Sequence, residues 1–207
     1  MNFKYTYWFF EEALSSRFCD TLIKYGNEQK ESLALTGNRT DPSKLTQDEK
    51  LDLMKTRNSN IVWLSDQWIY KEIQPYINSA NKNAGWNFDW DWSEACQFTK
   101  YKLNQHYGWH RDSFNEPYGE ENILEYRNKV RKLSVTCLLS DPNNYEGGEL
   151  EFQPRDQDDP NIILSTKHLR KKGTIIIFPS YIWHRVKPVT KGTRYSLVVW
   201  NIGYPFK

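Results

Sequence analysis

The 207-residue sequence contains no long run of apolar residues. A membrane-spanning helix needs about 18 or more consecutive apolar residues, and no stretch of this chain reaches that length. The segment Met1–Tyr5 also shows no apolar core followed by a small-residue cleavage site, so we expect no signal peptide. These absences argue against a membrane partner for the chain.

Cysteine is scarce as well. The three cysteines (Cys19, Cys96 and Cys137) stand far apart and show none of the paired spacings that mark a zinc site or a disulfide framework. Proteins without disulfides are typical of reducing compartments. The sequence therefore favours a cytoplasmic location.

The chain has almost no excess of charge of either sign. Its 28 lysine and arginine residues and 26 aspartate and glutamate residues give a formal net charge of +2 at pH 7. A domain that binds nucleic acid usually clusters positive charge on one face, and the sequence shows no such cluster. We therefore expect no nucleic-acid partner.

Aromatic residues, in contrast, are abundant, with nine tryptophans and thirteen tyrosines. Much of the core must therefore be built from their rings. Between Trp86 and Trp92 aromatic residues alternate with polar ones at the period of a β-strand. Binding of a cofactor is one interpretation of this stripe, but large aromatic residues are mostly buried, and we favour a packing role.

Apolar residues in the first 94 positions follow helical spacing. One helix is predicted from Glu11 to Asn27, with Ser15 or Ser16 as its N-cap. A second is predicted from Asp66 to Asn81, with a break or kink at Pro75. Shorter elements are predicted as a helical turn at 46–54 and strands at 3–10 and 60–64.

From residue 95 onward the pattern is dominated by short strands separated by turns. The predicted strands span 95–101, 130–139, 150–152, 161–165, 174–178 and 194–200. Strands that follow a helical start predict an α+β protein, in which a β-sandwich or jelly roll carries the helices on its outside. We expect one domain over residues 1–207, with 1–94 as a mainly helical support and 95–203 as the β-core.

His110 and Asp112 form a pair that could bind a metal. Residues two apart in a strand point to the same side, so the imidazole and the carboxylate can converge. Alone, such a pair is more often a surface hydrogen bond. His184 strengthens the prediction because it ends an apolar run where a core residue would be expected. Two histidines and one carboxylate suit ferrous iron and leave coordination positions open, so we predict that these three residues bind iron and form the catalytic centre.

Arg194 begins the last strongly apolar segment. A turn at Val189–Gly192 predicts a hairpin that places Arg194 opposite Lys187, on the order of 10 Å along the sheet from His184. A surface arginine is the alternative, but its apolar neighbours indicate burial, and a buried charge needs a partner. A guanidinium binds a carboxylate through two parallel hydrogen bonds, so we predict an acidic cosubstrate here, with the Ser196 hydroxyl as a further donor.

The ordered set His110-x-Asp112, His184 and Arg194 resembles the 2-oxoglutarate/Fe(II) dioxygenases. Within them it is most similar to the prolyl-4-hydroxylase-like branch, which includes bacterial proteins with a prolyl/lysyl hydroxylase domain. The turn Gly147-Gly148-Glu149 is similar to a turn of that branch, as is the Phe-Pro pair at 178–179 before the second histidine. The similarity covers roughly residues 95–203.

The resemblance implies a double-stranded β-helix, or jelly-roll, core with iron bound at one mouth. It also implies that Tyr101 contacts the cosubstrate, although a core tyrosine is an equal alternative, and that Trp200 packs beside the arginine. Relatives often carry a tyrosine in the strand that here runs from Thr136 to Ser140, and this chain has none there. His106 and His168 match no motif and are expected at the surface.

The activity implied by the resemblance is hydroxylation of an unactivated C–H bond, coupled to decarboxylation of 2-oxoglutarate to succinate and carbon dioxide. It uses Fe(II), 2-oxoglutarate and O2, with ascorbate as a further expected cofactor. Retention of Asp112 favours hydroxylation over halogenation. The branch suggests a prolyl residue of a peptide or protein as substrate, and the loop from Ser113 to Lys129 is either a lid over it or a simple surface loop.

Four alternatives remain at this point. A free amino acid or another small molecule is the first alternative substrate. Nucleic-acid demethylation is disfavoured, because the enzymes concerned carry a second arginine where this chain has Trp200. A non-catalytic, cupin-like jelly-roll module would not be expected to keep all three ligands and the arginine. A zinc hydrolase would need a general base, and none is evident in the sequence.

Overall fold

The computed structural model describes residues 4–34, 45–113, 116–154 and 161–206. These residues form three α-helices, one 3-10 helix (Pro142–Asn144) and fifteen strands. The helices are α1 (Ser16–Glu28), α2 (Gln47–Thr56) and α3 (Gln67–Asn83). The strands are β1 (Trp8–Phe10), β2 (Ser32–Leu33), β3 (Arg57–Asn58), β4 (Asn60–Leu64), β5 (Trp92–Ser93), β6 (Cys96–Tyr101), β7 (His106–His110), β8 (Val130–Leu138), β9 (Tyr145–Gly147), β10 (Leu150–Gln153), β11 (Leu164–Ser165), β12 (Ile175–Pro179), β13 (Trp183–Val186), β14 (Val189–Gly192) and β15 (Arg194–Gly203).

Helices α1 and α2 begin at polar residues whose side chains accept hydrogen bonds from free backbone N–H groups. The Ser15 hydroxyl accepts a hydrogen bond from the N–H of Phe18, which makes Ser15 the N-cap of α1. Thr46 and Glu49 form a reciprocal capping box at the start of α2. Helix α3 runs without interruption through Pro75, so the predicted break at that residue is wrong.

Antiparallel strands form two main sheets. The larger has eight strands in the order β1-β12-β8-β15-β6-β4-β2, with β5 also paired to β15. The smaller has five strands in the order β11-β10-β13-β7-β3, and β14 pairs only with β9 among the described strands. Two facing antiparallel sheets with helices on one outer side are the predicted α+β jelly roll.

The larger sheet separates two apolar clusters. On its outer side Leu133, Val135 and Cys137 of β8 belong to the same cluster as Leu22 of α1 and Ile73 of α3. On its inner side Leu138, Ile176 and Phe178 pack with residues of the smaller sheet such as Phe152 and Val186. The period of two along β8 thus divides its side chains between the helices and the space between the sheets.

Two predictions of local structure need correction. The segment from Trp86 to Trp92 is not a strand, and only its last residue belongs to one, as the start of β5. Trp86 and Phe88 are nevertheless buried, as the packing interpretation predicted, whereas Trp92 is exposed. The first predicted strand is shorter than 3–10, since β1 comprises only Trp8–Phe10.

The predicted hairpin that joins His184 and Arg194 is also wrong. Strand β13, which carries His184, pairs with β10 and β7 in the smaller sheet. Strand β15, which carries Arg194, lies in the larger sheet, where Arg194 faces Tyr101 of β6 rather than Lys187. The turn predicted at 189–192 is itself strand β14, and the chain crosses there from one sheet to the other.

Within the described ranges no helix is both long and apolar enough to cross a membrane.

Candidate metal centre and cosubstrate pocket

The structure brings the three predicted ligands together at one end of the space between the sheets. The Nε2 atom of His110 lies 3.7 Å from one carboxylate oxygen of Asp112, and the Nε2 atom of His184 lies 3.4 Å from the other. All three ligand atoms lie within 4.8 Å of one another. His110 ends strand β7, Asp112 follows it, and His184 lies in β13.

The two histidines are adjacent because their strands pair directly. His184 lies opposite His110, and the next pair is Val186 with Tyr107, so the register shifts by one residue between them. An extra residue in one strand is a β-bulge, which re-aims the side chains beyond it. Tyr107 and His110 therefore share a face although three residues separate them, and their rings stack with centroids 3.4 Å apart.

Both histidines present the same ring nitrogen to the centre. The Nδ1 atom of His110 lies 2.8 Å from the carbonyl oxygen of Gly108, and that of His184 lies 2.9 Å from the carbonyl oxygen of Ile182. A carbonyl only accepts hydrogen bonds, so each Nδ1 is the donor and each Nε2 is the nitrogen left to face the centre. Burial, with the nearby His184 as a second cause, lowers the pKa of His110 well below its usual value, which keeps this ring neutral.

Asp112 is held by hydrogen bonds on both its backbone and its side chain. Its N–H donates to the carbonyl oxygen of Ser180 at 3.0 Å, and its Oδ2 accepts from the Ser134 hydroxyl at 2.7 Å. Burial raises the pKa of Asp112, but the two histidines, Arg131 and the serine hydrogen bond outweigh it and lower the pKa to about 2. The carboxylate is therefore charged at neutral pH.

These donors fit a ferrous ion. Two imidazoles that turn Nε2 toward the cluster and one charged carboxylate make up a two-histidine, one-carboxylate set. Such a set suits ferrous iron and would leave coordination positions for further ligands. These three residues could therefore hold a metal ion and leave room for other molecules to bind it.

A buried ion-pair network contacts the backbone of Asp112. Arg131 donates to both carboxylate oxygens of Glu94, at 2.7 Å and 2.6 Å, and Tyr118 donates to the same carboxylate at 2.7 Å. Arg131 also lies 3.5 Å from the carbonyl oxygen of Asp112, and its guanidinium stacks 3.9 Å from the ring of Trp200. Since Tyr118 belongs to the loop at 113–129, this network connects that loop to the candidate centre. A lid function for the loop stays a prediction.

Arg194 is only 1% exposed. Its Nη1 donates to the Ser196 hydroxyl at 3.0 Å, and its guanidinium lies 5.4 Å from the ring of Tyr101. The Nε and Nη2 atoms are buried and have no hydrogen-bond partner among the described residues. A buried cation with open donors suits an anionic ligand, because an uncompensated charge is costly in the interior. Gly148 allows this placement, since a Cβ at that position would lie 2.7 Å from Cδ of Arg194.

The three candidate ligands and Arg194 lie in the same interior space. Ser134 of β8, which bonds to Asp112, marks the level of the cluster. Leu138 of β8 lies opposite Ser196 and marks the level of the guanidinium. Four residues along a strand span on the order of 13 Å. An arginine side chain and a small dicarboxylate, placed end to end, can cover this distance.

Comparison with known families agrees with this geometry. A sequence model of the 2OG-Fe(II) oxygenase superfamily matches residues 96–201, just over half of the chain. The chain belongs to this superfamily. The family consists of oxygenases and implies Fe(II), 2-oxoglutarate and O2, for which the two-histidine, one-carboxylate cluster and the open arginine are suitable residues.

A curated relative of this 2OG-Fe(II) oxygenase chain is a PKHD-type hydroxylase of Synechococcus sp. (strain CC9605). It is 39% identical over 99 residues, which are 47% of this chain and 37% of that protein. The similarity thus spans well under half the length of that relative and leaves the remainder of it unmatched.

Two solved structures share the fold. A viral collagen prolyl hydroxylase from Paramecium bursaria Chlorella virus-1, in complex with 2OG, has a TM-score of 0.63, 19% identity and 97% coverage of both chains. A prolyl-4-hydroxylase of Pseudomonas putida has a TM-score of 0.68 and 15% identity, with 96% of this chain and 93% of the other covered. At these identities the likeness shows the fold, and it confirms the jelly-roll prediction.

Several residues of this 2OG-Fe(II) oxygenase were not found from its sequence. For Ser134 a signal was present, because it stands between the apolar Leu133 and Val135 and therefore lies on the opposite face of the strand. Glu94 and Arg131 gave no local signal, because they meet only through the pairing of distant segments.

Two sequence-based placements are wrong. Trp200 packs on Arg131 beside Asp112 rather than beside Arg194. His168 is exposed as expected, but His106 is partly buried, with its ring nitrogens facing the carbonyl oxygens of Asn104 and Lys55.

Proposed function

We propose that this chain is an Fe(II)- and 2-oxoglutarate-dependent hydroxylase of an unactivated C–H bond, with decarboxylation of 2-oxoglutarate to succinate and carbon dioxide. The observation that carries the proposal is the presence, in one interior space, of a complete two-histidine, one-carboxylate cluster and a fully buried arginine with two open donors. A non-catalytic jelly-roll module would not require both.

Each site residue has a distinct role in this proposal. His110, Asp112 and His184 hold the iron, which when bound supplies the oxidising chemistry with dioxygen. Arg194 binds the far carboxylate of 2-oxoglutarate, and Ser196 fixes the guanidinium by accepting from its Nη1. Tyr101 forms a wall of the same pocket beside the arginine.

Apolar rings keep water away from the inner side of the candidate centre. The rings of Phe178 and Phe152 lie 4.7 Å and 6.3 Å from that of His184. Both phenylalanines are buried. Exclusion of water by these rings strengthens the electrostatic interactions of the site and protects reactive species from side reactions.

The proposed substrate is a prolyl residue in a peptide or protein. A groove of about 990 Å³ opens beside the start of β8, with Lys132 in its wall two residues before Ser134. Its apolar lining is aromatic and comprises Trp86, Phe88, Trp90, Tyr204 and Phe206. Proline-rich segments dock in aromatic grooves of this kind, which favours a peptide over a free amino acid or another small molecule.

The cosubstrate site is tested by anaerobic titration of the protein with Fe(II) and then with 2-oxoglutarate. We expect a visible charge-transfer band from the bound keto acid. The band should be lost in His184→Ala and should require more 2-oxoglutarate in Arg194→Ala. Wild-type protein that loads iron and gives no band would overturn the proposal and favour a binding module instead.

The substrate class is tested with a peptide panel. Peptides that contain proline, the same peptides with alanine in its place, and free amino acids are compared for succinate formation and for a mass gain of one oxygen. We expect both signals only with the proline peptides. Equal turnover of free amino acids would refute the peptide assignment and leave the hydroxylase assignment in place.

Three further parts of the proposal have their own measurements. Ascorbate is proposed to restore ferrous iron, so omitting it should shorten the period of linear turnover.

Residues 1–94 are proposed to support a single catalytic domain, so residues 95–203 alone should be insoluble. A cytoplasmic location is consistent with three buried free cysteines, and recovery of the protein outside the cytoplasmic fraction would contradict it.

A further inference from the structure

A small cavity of about 10 Å³ lies beside the guanidinium of Arg194. Its wall contains a second arginine, Arg170, which belongs to the segment between β11 and β12. Leu138 and Thr166 also face this cavity. A space of this size holds about one water molecule, or one small polar group of a larger ligand.

One guanidinium nitrogen of Arg170 is hydrogen-bonded, and another has no partner among the described residues. Its Nη2 donates to the carbonyl oxygen of Tyr145 at 2.7 Å, and its guanidinium carbon lies 4.8 Å from the ring of the same tyrosine. Its Nε is buried and has no hydrogen-bond partner in the described part of the chain. The contacts with Tyr145 therefore fix the side chain while one donor stays available.

No described residue of the cavity wall accepts a hydrogen bond from Nε of Arg170, or from Nε and Nη2 of Arg194. The Thr166 hydroxyl donates to the carbonyl oxygen of Leu150, and the side chain of Leu138 is apolar. Glu149, the acidic residue of the wall, lies 3.8 Å from Lys187 in an ion pair. Two cations that face one cavity with open donors call for an anion with several acceptor sites.

We propose that Arg170 joins Arg194 in binding the distal carboxylate of the 2-oxo dicarboxylate cosubstrate. The inference rests on the proposed function and deepens it, because it assigns a second guanidinium to the carboxylate end of the pocket. A carboxylate can accept hydrogen bonds from two arginines at once, since its two oxygens carry about four acceptor positions. Arg170 thereby contributes to selection of 2-oxo acids that have a second carboxylate.

The test measures binding by calorimetry on the anaerobic Fe(II)-loaded protein, with 2-oxoglutarate and with pyruvate as ligands. Pyruvate has the same 2-oxo acid group and no distal carboxylate. We expect Arg170→Ala to raise the Kd for 2-oxoglutarate about 10- to 100-fold, as for loss of a hydrogen bond to a charged group. The Kd for pyruvate should stay within about twofold, because its binding makes no use of Arg170.

Two further variants keep the test decisive. Arg170→Lys retains the charge but lacks the Nε donor and the planar group that stacks on Tyr145, so it should weaken 2-oxoglutarate binding by about 10-fold while preserving the fold. Arg17→Ala removes an exposed arginine from α1 and should change neither Kd. Unchanged thermal unfolding of the iron-loaded variants will show that packing is intact.

Separate outcomes refute the inference and the proposed function. If wild-type protein binds 2-oxoglutarate and Arg170→Ala and Arg170→Lys bind it equally well, Arg170 does not contact the carboxylate. If affinity for pyruvate falls as much as affinity for 2-oxoglutarate, Arg170 has only a structural role. If wild-type protein with iron does not bind 2-oxoglutarate at all, the proposed function fails, and the inference fails with it.

Discussion

The Ser134 hydroxyl donates a 2.7 Å hydrogen bond to Oδ2 of Asp112, although 22 residues separate them in the sequence. The same hydroxyl lies 2.9 Å from the hydroxyl of Ser180, whose backbone carbonyl accepts from the N–H of Asp112. The candidate ligand is thus oriented by two serines, of which Ser134 lies in β8 and Ser180 follows β12 directly. Groups that orient a metal ligand in this way usually tune the affinity of the metal.

Replacing Ser134 by alanine should weaken metal binding. The carboxylate of Asp112 would lose its charge-assisted hydrogen bond, and we expect the Kd for Fe(II), measured by anaerobic titration, to rise about 10- to 100-fold. Ser180→Ala is the matched control, because it removes the Ser134–Ser180 contact and keeps the bond to Asp112. Similar loss of affinity in both variants would show that the bond to Asp112 is not the cause.

Glu94→Gln should destabilise the fold. The Arg131–Glu94 pair is buried, with side-chain exposures of 13% and 6%, and Glu94→Gln removes the carboxylate that forms two hydrogen bonds with Arg131. We expect the free energy of unfolding in urea to fall by about 3 kcal/mol, measured on metal-free protein. Asp52→Asn, which breaks an exposed pair with Lys55, should change it by less than about 1 kcal/mol. Equal effects of the two variants would contradict a buried role for Glu94.

Arg194→Lys should weaken 2-oxoglutarate binding while leaving iron binding unchanged. Lysine keeps the positive charge but cannot form two parallel hydrogen bonds to a carboxylate. We expect the concentration of 2-oxoglutarate that half-saturates the charge-transfer band to rise about 10-fold, with an unchanged Fe(II) titration. A wild-type response to 2-oxoglutarate would remove Arg194 from the cosubstrate pocket.

Gly148→Ala should lower the free energy of unfolding and weaken the binding of 2-oxoglutarate. Gly148 has a φ of +66°, and an added Cβ would lie 2.7 Å from Cδ of Arg194. The left-handed backbone alone costs an alanine about 1–2 kcal/mol, and displacement of Arg194 should also raise the Kd for 2-oxoglutarate severalfold.

Gly85→Ala provides the matched control for that variant. Gly85 has a similar φ of +71°, and an added Cβ would meet no atom within 4 Å. We expect Gly85→Ala to lower the free energy of unfolding by the backbone term only and to leave the Kd unchanged. If both variants bind 2-oxoglutarate like the wild type, Gly148 does not determine the position of Arg194.

Much of the candidate site was visible in the sequence because it depends on local order. The alternation that puts His110 and Asp112 on one side is a property of any extended chain. Burial of Arg194 followed from the apolar residues around it, and the Ser15 cap of α1 followed from the helical pattern beyond it. These features need only near neighbours in the chain.

The structure decided which distant residues meet. The sequence pattern suggested that His184 and Arg194 share a hairpin, whereas the chain crosses between the two sheets at β14 and places them on different walls of one interior. The period of two fixes the face on which a side chain lies, but it does not fix the strand that lies opposite. Pairing of strands far apart in the chain therefore brought Ser134 to Asp112 and Arg170 to the cavity beside Arg194, and only the tertiary structure could reveal these contacts.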